Sequence, residues 1–267
     1  MVELRNVSYA VGGMRILNDA SACFRSARFN VILGPNGAGK STLLRIATGL
    51  LHPTSGSVLY DDRPIDSFDT MELARVRAVL SQHVELAFPM RAADVVMMGR
   101  YPHYDRVATV HDRDVVARAI ELVGMTDKRD QSYPTLSGGE QQKIQLARVL
   151  AQIWSDDAPG DATRGGGRPG RFLFLDEPTT SLDVHYQIHL LDVARSLLDS
   201  GCTVIAILHD FNVALEYGDH FVLLDRGSVA LETDDAASLP QEELERIFRV
   251  RARRIDDGGR GFWRFSL

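Results

Sequence analysis

The chain has 267 residues, of which 45% are hydrophobic and 25% are charged, and its formal net charge is −6. This composition is typical of a globular domain that can bury a sizeable core. A protein that binds nucleic acid without sequence preference is usually basic, so the charge disfavours a nucleic-acid partner. The two cysteines, Cys23 and Cys202, lack the spacing of a metal site and favour a reducing compartment.

No stretch approaches the roughly 18 apolar residues that a membrane-spanning helix requires. The amino terminus carries Glu3 and lacks the apolar core of a signal peptide, so none is expected. If the protein serves a membrane, a partner must supply the membrane-spanning part.

The first part of the chain alternates apolar runs with turns. The predicted elements are strands at 2–11, 20–33 and 58–60 and a helix at 41–50. The region from 85 to 154 has mainly helical spacing, including 113–123. Residues 155–170 are rich in Gly, Pro and Asp, which predicts a surface loop.

Two later apolar runs, 172–175 and 203–208, do not alternate with polar residues. Such runs are typical of strands that are buried on both faces of a parallel sheet. The remaining predictions are a hairpin from 221–224 and 229–231, a helix at 241–248 and a strand at 262–265. Strands that alternate with helices predict the α/β class, with a helical insertion in the middle of the chain.

A glycine-rich loop lies between the strand that ends at Leu33 and the helix that follows. Its sequence, Gly-Pro-Asn-Gly-Ala-Gly-Lys-Ser, fits the phosphate-loop pattern at every fixed position. Glycines let the backbone N–H groups converge on phosphate oxygens, while Lys40 brings a charge to the β- and γ-phosphates and Ser41 a hydroxyl to Mg²⁺. The predicted nucleotide-binding residues here are Gly34, Pro35, Asn36, Gly37, Ala38, Gly39, Lys40, Ser41 and Thr42.

An acidic pair follows the buried run 172–175. Asp176 stands where it can hold Mg²⁺, and Glu177 where it can polarise an attacking water. Acidic residues are common after strands, so the pair gains meaning from the phosphate loop, which belongs at the same edge of a parallel sheet.

A second anion-binding pattern precedes the helix that is expected to run to about Trp154. Ser137 has the position of an N-cap, and the two glycines that follow expose backbone N–H groups. Leu136–Gln141 resembles the signature motif of ABC transporters, and the phosphate loop, the signature, the acidic pair and a later histidine occur in the order of that family. The chain therefore resembles ABC transporter ATPase subunits over almost its whole length.

The resemblance implies a P-loop NTPase (RecA-like) core with an antiparallel β subdomain and an α-helical insertion that carries the signature. All 267 residues would form one ABC ATPase domain. In it, about 1–84 and 155–230 would be the nucleotide-binding core, about 85–154 the helical subdomain and about 231–267 a C-terminal extension.

The resemblance also implies roles for single residues. Tyr9 matches the aromatic residue that stacks on adenine, and His209 the switch histidine that contacts the γ-phosphate. Gln82 matches the glutamine that senses Mg²⁺ and the attacking water. The implied catalytic residues are Glu177, His209, Gln82 and Lys40, and the implied Mg²⁺ ligands are Ser41, Gln82 and Asp176.

Family members act as pairs, so the resemblance implies ATP, Mg²⁺ and a homodimer in which each signature caps the partner's nucleotide. Three residues, Ser181, Leu182 and Asp183, match the loop that touches the opposite subunit. The residues expected to act on the partner's ATP are Leu136, Ser137, Gly138, Gly139 and Glu140.

The expected assembly is an importer at the cytoplasmic face of the inner (plasma) membrane, with a permease dimer and a periplasmic or surface substrate-binding protein. A soluble ABC machine is disfavoured because roughly 55 positions separate Gln82 from Ser137, too few for a long coiled-coil arm. Gly99–His103, Gly-Arg-Tyr-Pro-His, resembles importers of haem, ferric siderophores and cobalamin. Haem (hemin) is the favoured cargo because the run 146–154 and the loop after it resemble haem importers, and the other two remain alternatives.

Overall fold

The computed structural model describes residues 1–81, 89–154, 170–178, 183–235, 239–257 and 260–267. They form two compact units, one of Met1–Ser67 with Thr203–Leu267 and one of Phe68–Cys202. Gln82, Ser181 and Leu182 lie outside the described residues, as does nearly all of the loop predicted at 155–170.

The described elements are numbered in chain order. The strands are β1 Val2–Val11, β2 Met14–Phe24, β3 Phe29–Leu33, β4 Ser55–Tyr60, β5 Arg63–Pro64, β6 Arg77–Leu80, β7 Arg171–Asp176, β8 Cys202–Ile207, β9 His220–Asp225, β10 Ser228–Thr233, β11 Arg251–Asp257 and β12 Arg260–Ser266. The α-helices are α1 Lys40–Ala47, α2 Thr70–Val76, α3 Ala92–Met97, α4 Val110–Leu122, α5 Gly138–Ile153, α6 Val184–Ser196, α7 Phe211–Tyr217 and α8 Gln241–Phe248.

The first unit contains an antiparallel sheet of order β2-β1-β4-β5, as the family resemblance implies. Its second sheet has the order β10-β9-β3-β8, and β3 runs parallel to both of its neighbours. All residues of β3 and β8 are buried, so the apolar runs without alternation do form two-sided strands. The predicted α/β fold class is confirmed.

The prediction of one strand over 20–33 is wrong. β2 ends at Phe24, and Ala27 adopts a left-handed backbone conformation with φ of 50°. The buried Asn30 closes this turn, because its Oδ1 accepts from Arg25 N at 2.6 Å and its Nδ2 donates to Arg25 O at 3.0 Å. Residues 25–28 are polar except for Ala27, so the sequence itself contains a break between the two strands.

Other boundaries also differ from the predicted ones. The helix predicted at 41–50 ends at Ala47, shortly before Gly49 with φ of 70°. Elements without a counterpart among the predicted ones are the helices α2, α6 and α7 and the strands β5, β6 and β11. The predicted strand 262–265 is the middle of β12, which pairs antiparallel with β11.

The second unit combines the parallel pair β6 and β7 with the helices α2 to α6. α5 packs against α3 and α4, and one face of it is buried from Ile144 to Ile153. The hydrophobic spacing of this helix therefore supplies the core of the helical part.

A buried ion pair joins these helices. Arg100 and Asp112 are almost fully buried, and Arg100 Nε donates to Asp112 Oδ1 at 2.9 Å. Arg100 Nη1 also donates to the carbonyls of Ala151 at 2.9 Å and Trp154 at 3.1 Å, which caps the end of α5. Burial opposes ionisation of Asp112, but hydrogen bonds from Thr109 and Arg100 outweigh it and lower the pKa of this carboxyl group.

We expect Arg100→Ala to lower the free energy of unfolding by about 3–5 kcal/mol, because it leaves a buried carboxylate unpaired and removes two bonds to α5. Urea-induced unfolding measures the loss. Arg106→Ala is the matched control at an exposed position nearby, and its effect should stay within about 0.5 kcal/mol. Equal stability of the two variants would contradict a structural role for the pair.

Candidate nucleotide site

The phosphate loop leaves β3 at Gly34 and enters α1 at Lys40. Gly34, Gly37 and Gly39 have φ of 147°, 79° and 101°, backbone conformations that side chains rarely adopt. At Gly34 a Cβ atom would lie 2.3 Å from the carbonyl oxygen of Leu224, so the loop also presses against β9. Glycine is thus required here for two reasons, the dihedral angle and the space.

The side chain of Lys40 folds back over the phosphate loop. The residue is only 6% exposed, and its Nζ donates to the carbonyls of Gly34 at 2.8 Å and Pro35 at 3.0 Å. A buried charge needs such partners, and phosphate oxygens are stronger ones than carbonyls. Ser41 and Thr42 follow in the first turn of α1 and are half-buried, while Asn36 and Gly37 are exposed.

The turn between β9 and β10, which the sequence predicts only as part of a hairpin, supports the phosphate loop. Gly227, between β9 and β10, donates its N–H to Ala38 O at 3.0 Å and accepts from Asn18 N at 2.8 Å. A Cβ atom at Gly227 would lie 2.4 Å from Ile16 O. The glycine in Asp225–Ser228 is the sequence signal for this close approach, but it also fits an ordinary turn.

The structure places His209 near the start of the phosphate loop. Ile32 of β3 pairs in parallel register with Ile207 of β8, so both strands end at the same sheet edge. His209 is exposed there, and Asp210 caps α7 by accepting from Asn212 N at 2.8 Å and Val213 N at 3.1 Å. This matches the rule that ligands bind at the carboxyl edge of parallel strands.

Tyr9 lies in the antiparallel sheet of the same unit. It pairs with Leu17 of β2, and its side chain is half-buried. A ring held by a strand and partly open to solvent is suited to stack on a planar base.

In the second unit, the acidic pair stands at the end of β7. Asp176 is the last residue of the strand, and Glu177 follows with φ of 51°. A non-glycine residue in this region is uncommon. Leu80 of β6 pairs with Leu175, so the segment that leads to Gln82 ends beside the acidic pair.

The signature segment forms a capping box. Ser137 Oγ accepts from Glu140 N at 3.4 Å, and Glu140 Oε2 accepts from Ser137 N at 3.0 Å. Glu140 also accepts a hydrogen bond from Lys128, and these contacts lower the pKa of its carboxyl group. Gly138 and Gly139 have open space where a Cβ atom would stand, so the start of α5 can approach another molecule closely.

Asp183 is the N-cap of α6, because its Oδ1 accepts from Tyr186 N at 2.8 Å. Lys143 of the signature helix stands 4.8 Å from the ring centre of Tyr186. This cation–π contact couples the segment of Asp183 to the signature helix, and sequence reasoning does not detect it.

A phosphate loop between a parallel strand and a helix defines a P-loop nucleotide-binding protein. Within the described ranges, no helix combines the length and the apolar composition needed to cross a membrane.

Comparisons with known proteins narrow the class. The family model described as ABC transporter matches residues 17–153. The hemin import ATP-binding protein HmuV of Agrobacterium fabrum is 38% identical over 94% of this chain and 92% of its own length. The protein of the same name from Rhodopseudomonas palustris is 41% identical over 96% and 92%. A dimeric bacterial ABC transporter cassette of known structure is 27% identical, with a TM-score of 0.71 over 88% of this chain and 98% of that one.

The chain belongs to the ABC transporter family and is an ATP-binding, ATP-hydrolysing member of it.

We expect Gly34→Ala to weaken ATP binding by at least roughly tenfold, because the new Cβ atom would displace the loop that supplies the phosphate-binding N–H groups. Titration with a fluorescent ATP analogue measures the affinity. Gly13→Ala is the control, since Gly13 also has positive φ, of 80°, but nothing lies within 4 Å of a Cβ there. Unchanged affinity in Gly34→Ala would mean that the loop does not bind phosphate.

Proposed function

We propose that this chain is the ATP-hydrolysing subunit of an importer that couples ATP-driven dimerisation to the uptake of haem (hemin). The assignment of haem as the cargo depends on the name that the relatives share, hemin import ATP-binding protein. Their similarity to this chain extends over more than nine-tenths of both chains. A permease dimer would supply the membrane path, and a substrate-binding protein would deliver cargo to it. The chain would then lie at the cytoplasmic face of the membrane.

The phosphates of ATP bind to the loop from Gly34 to Thr42. Backbone N–H groups surround the phosphate oxygens, and Lys40 exchanges the carbonyls of Gly34 and Pro35 for the β- and γ-phosphates. This exchange costs little rearrangement because the ammonium group already lies over the loop. Tyr9 stacks on the adenine.

The proposed Mg²⁺ ligands fit the ion by their chemistry. Ser41, Gln82 and Asp176 offer a hydroxyl, an amide carbonyl and a carboxylate, which are the hard oxygen donors that Mg²⁺ prefers. Among the described residues, no group of three or more His, Cys, Asp or Glu side chains is arranged to hold a metal ion. Mg²⁺ is usually held by few protein ligands together with phosphates and waters. When bound, it neutralises charge on the β- and γ-phosphates.

Hydrolysis proceeds by attack of a water on the γ-phosphorus. Glu177 accepts the water proton, a new P–O bond forms, and the bond to the β–γ bridging oxygen breaks to give ADP and phosphate. Gln82 orients the water. His209, at the end of β8, donates a hydrogen bond to the γ-phosphate and stabilises the charge that develops there.

The other half of each site comes from a second copy of the chain. Ser137 Oγ accepts from Glu140 N in the capping box, so its hydroxyl proton remains available to donate to the partner's γ-phosphate. Gly138 and Gly139 let the backbone of α5 approach that phosphate, and Leu136 and Glu140 hold the segment in place. Asp183 starts the helix that faces the partner. ATP thus joins the two copies, and its hydrolysis releases them.

We expect Glu177→Gln to bind ATP but to hydrolyse it at least roughly 100-fold more slowly, because the amide cannot accept the water proton. The variant should accumulate as an ATP-bound dimer in size-exclusion chromatography with light scattering. Adding Ser137→Arg is the matched control, and this double variant should remain monomeric in ATP. Near-normal turnover of Glu177→Gln would remove Glu177 from the mechanism, and a dimer of the double variant would contradict the role of the signature.

We expect a deletion strain to fail to grow with hemin as the sole iron source, because haem no longer enters the cell. Growth on a ferric siderophore and on free iron salts provides the controls. Wild-type chain should restore growth on hemin, and Glu177→Gln should not. Failure to grow on the siderophore alone would identify ferric siderophores as the cargo. Normal growth on all three iron sources would contradict haem import and make cobalamin the next cargo to test.

A further inference from the structure

The C-terminal segment, of which residues 239–257 and 260–267 are described, has no role in the proposed mechanism. It contains α8 and the hairpin β11–β12, and both belong to the unit that carries the phosphate loop. Glu245 Oε1 accepts from Ala252 N at 2.9 Å, which joins α8 to the hairpin. The segment therefore folds as one piece against this unit.

The hairpin is attached to α7 through the side chain of Asn212. Its Nδ2 donates to Trp263 O at 3.1 Å, and its Oδ1 accepts from Trp263 N at 2.8 Å. One amide side chain thus pairs with both backbone groups of a β12 residue, as a neighbouring strand would do. Two hydrogen bonds from one side chain fix an orientation as well as a distance.

An aromatic cluster lies beside this pairing. Phe211, the first residue of α7, meets Phe265, Phe248 and Trp263 edge-to-face, with ring centres 5.2, 5.9 and 6.5 Å away. Phe211 and Trp263 are buried. Edge-to-face aromatic contacts favour particular geometries, so the cluster holds the start of α7 against the hairpin.

These contacts fall on the residues directly after His209. α7 has only seven residues, too few to be stable alone, so packing sets its position. Asp210 caps the first turn of α7 through a hydrogen bond within the helix. Asn212 and Phe211 attach the same turn to the hairpin. The chain direction at His209 consequently depends on the hairpin.

A second contact reaches the support of the phosphate loop. Arg246 of α8 donates to Asp225 Oδ2 at 3.2 Å, at the end of β9. Two residues later, Gly227 donates to Ala38 of the loop. The C-terminal segment thus touches the elements on both sides of the phosphate site within its unit.

We propose that the C-terminal segment positions His209 for ATP hydrolysis, and that Asn212 is the positioning residue through which it acts. The proposal rests on the role assigned to His209 above. A hairpin that only stabilised the fold would affect stability, whereas one that orients the histidine affects the chemical step and leaves nucleotide binding alone.

The test compares Asn212→Asp and Phe265→Ala with wild-type chain in steady-state ATP hydrolysis. Asn212→Asp keeps the acceptor for Trp263 N but turns a second oxygen towards Trp263 O, and an acid in the first turn does not disfavour α7. We expect kcat to fall roughly tenfold in both variants, with KM for ATP within about twofold, since small misplacements near a reacting group reduce rates strongly. The control is Arg264→Ala, which changes an exposed neighbour of Trp263 on β12 and should keep wild-type kcat.

A double-mutant cycle with His209→Ala separates positioning from stability. If Asn212 acts through His209, Asn212→Asp reduces single-turnover hydrolysis in wild-type chain but has no further effect in His209→Ala. Affinity for a fluorescent ATP analogue shows that each variant is folded.

Equal fractional losses in both backgrounds, or unchanged kcat in Asn212→Asp and Phe265→Ala, would overturn the proposal. Full activity of His209→Ala would instead refute the role of His209 in the proposed mechanism. The two failures are therefore distinguishable.

Discussion

The close approach of three backbone segments around the phosphate loop is the constraint on which the nucleotide site depends. Gly34 leaves no room between the loop and Leu224, and Gly227 approaches Ile16 while it donates to Ala38. Neither contact survives the addition of one methyl group without a shift of backbone. The loop is therefore shaped before any phosphate arrives, and nucleotide binding needs little reorganisation of the chain.

The elements that sequence reasoning predicts well are those in which pattern and environment agree. Residues 203–208 are apolar without alternation because β8 is buried on both faces, and Ser137 precedes a helix because it caps one. The prediction of one strand over 20–33 is wrong, because the side chain of the polar Asn30 forms two hydrogen bonds with Arg25 that close a turn. The interruption is visible in the sequence, because the segment 25–28 contains only one apolar residue, Ala27.

The residues of the candidate site also divide into those that the sequence predicts and those that it does not. Motifs predict the phosphate loop, the acidic pair and the signature because each needs a fixed spacing of residue types. They do not reveal Gly227, Asn212 or Lys143, because these residues act through partners that are distant in the chain. A single glycine, asparagine or lysine in an ordinary sequence context carries no such information.

The Gly-Arg-Tyr-Pro-His segment, residues 99–103, faces mainly into the protein. A Cβ atom at Gly99 would lie 2.1 Å from Arg148 O, the carbonyl of Pro102 accepts from Arg75 Nε at 2.6 Å, and His103 Nε2 bonds to Gln152 O at 2.7 Å. With Arg100 holding the end of α5, Tyr101 is the exposed member of the five, at 67%. The motif therefore has a structural role, which is to hold the helices of the second unit together. Replacement of Tyr101 should therefore cost little stability, while changes at the other four positions disturb the helices that they join.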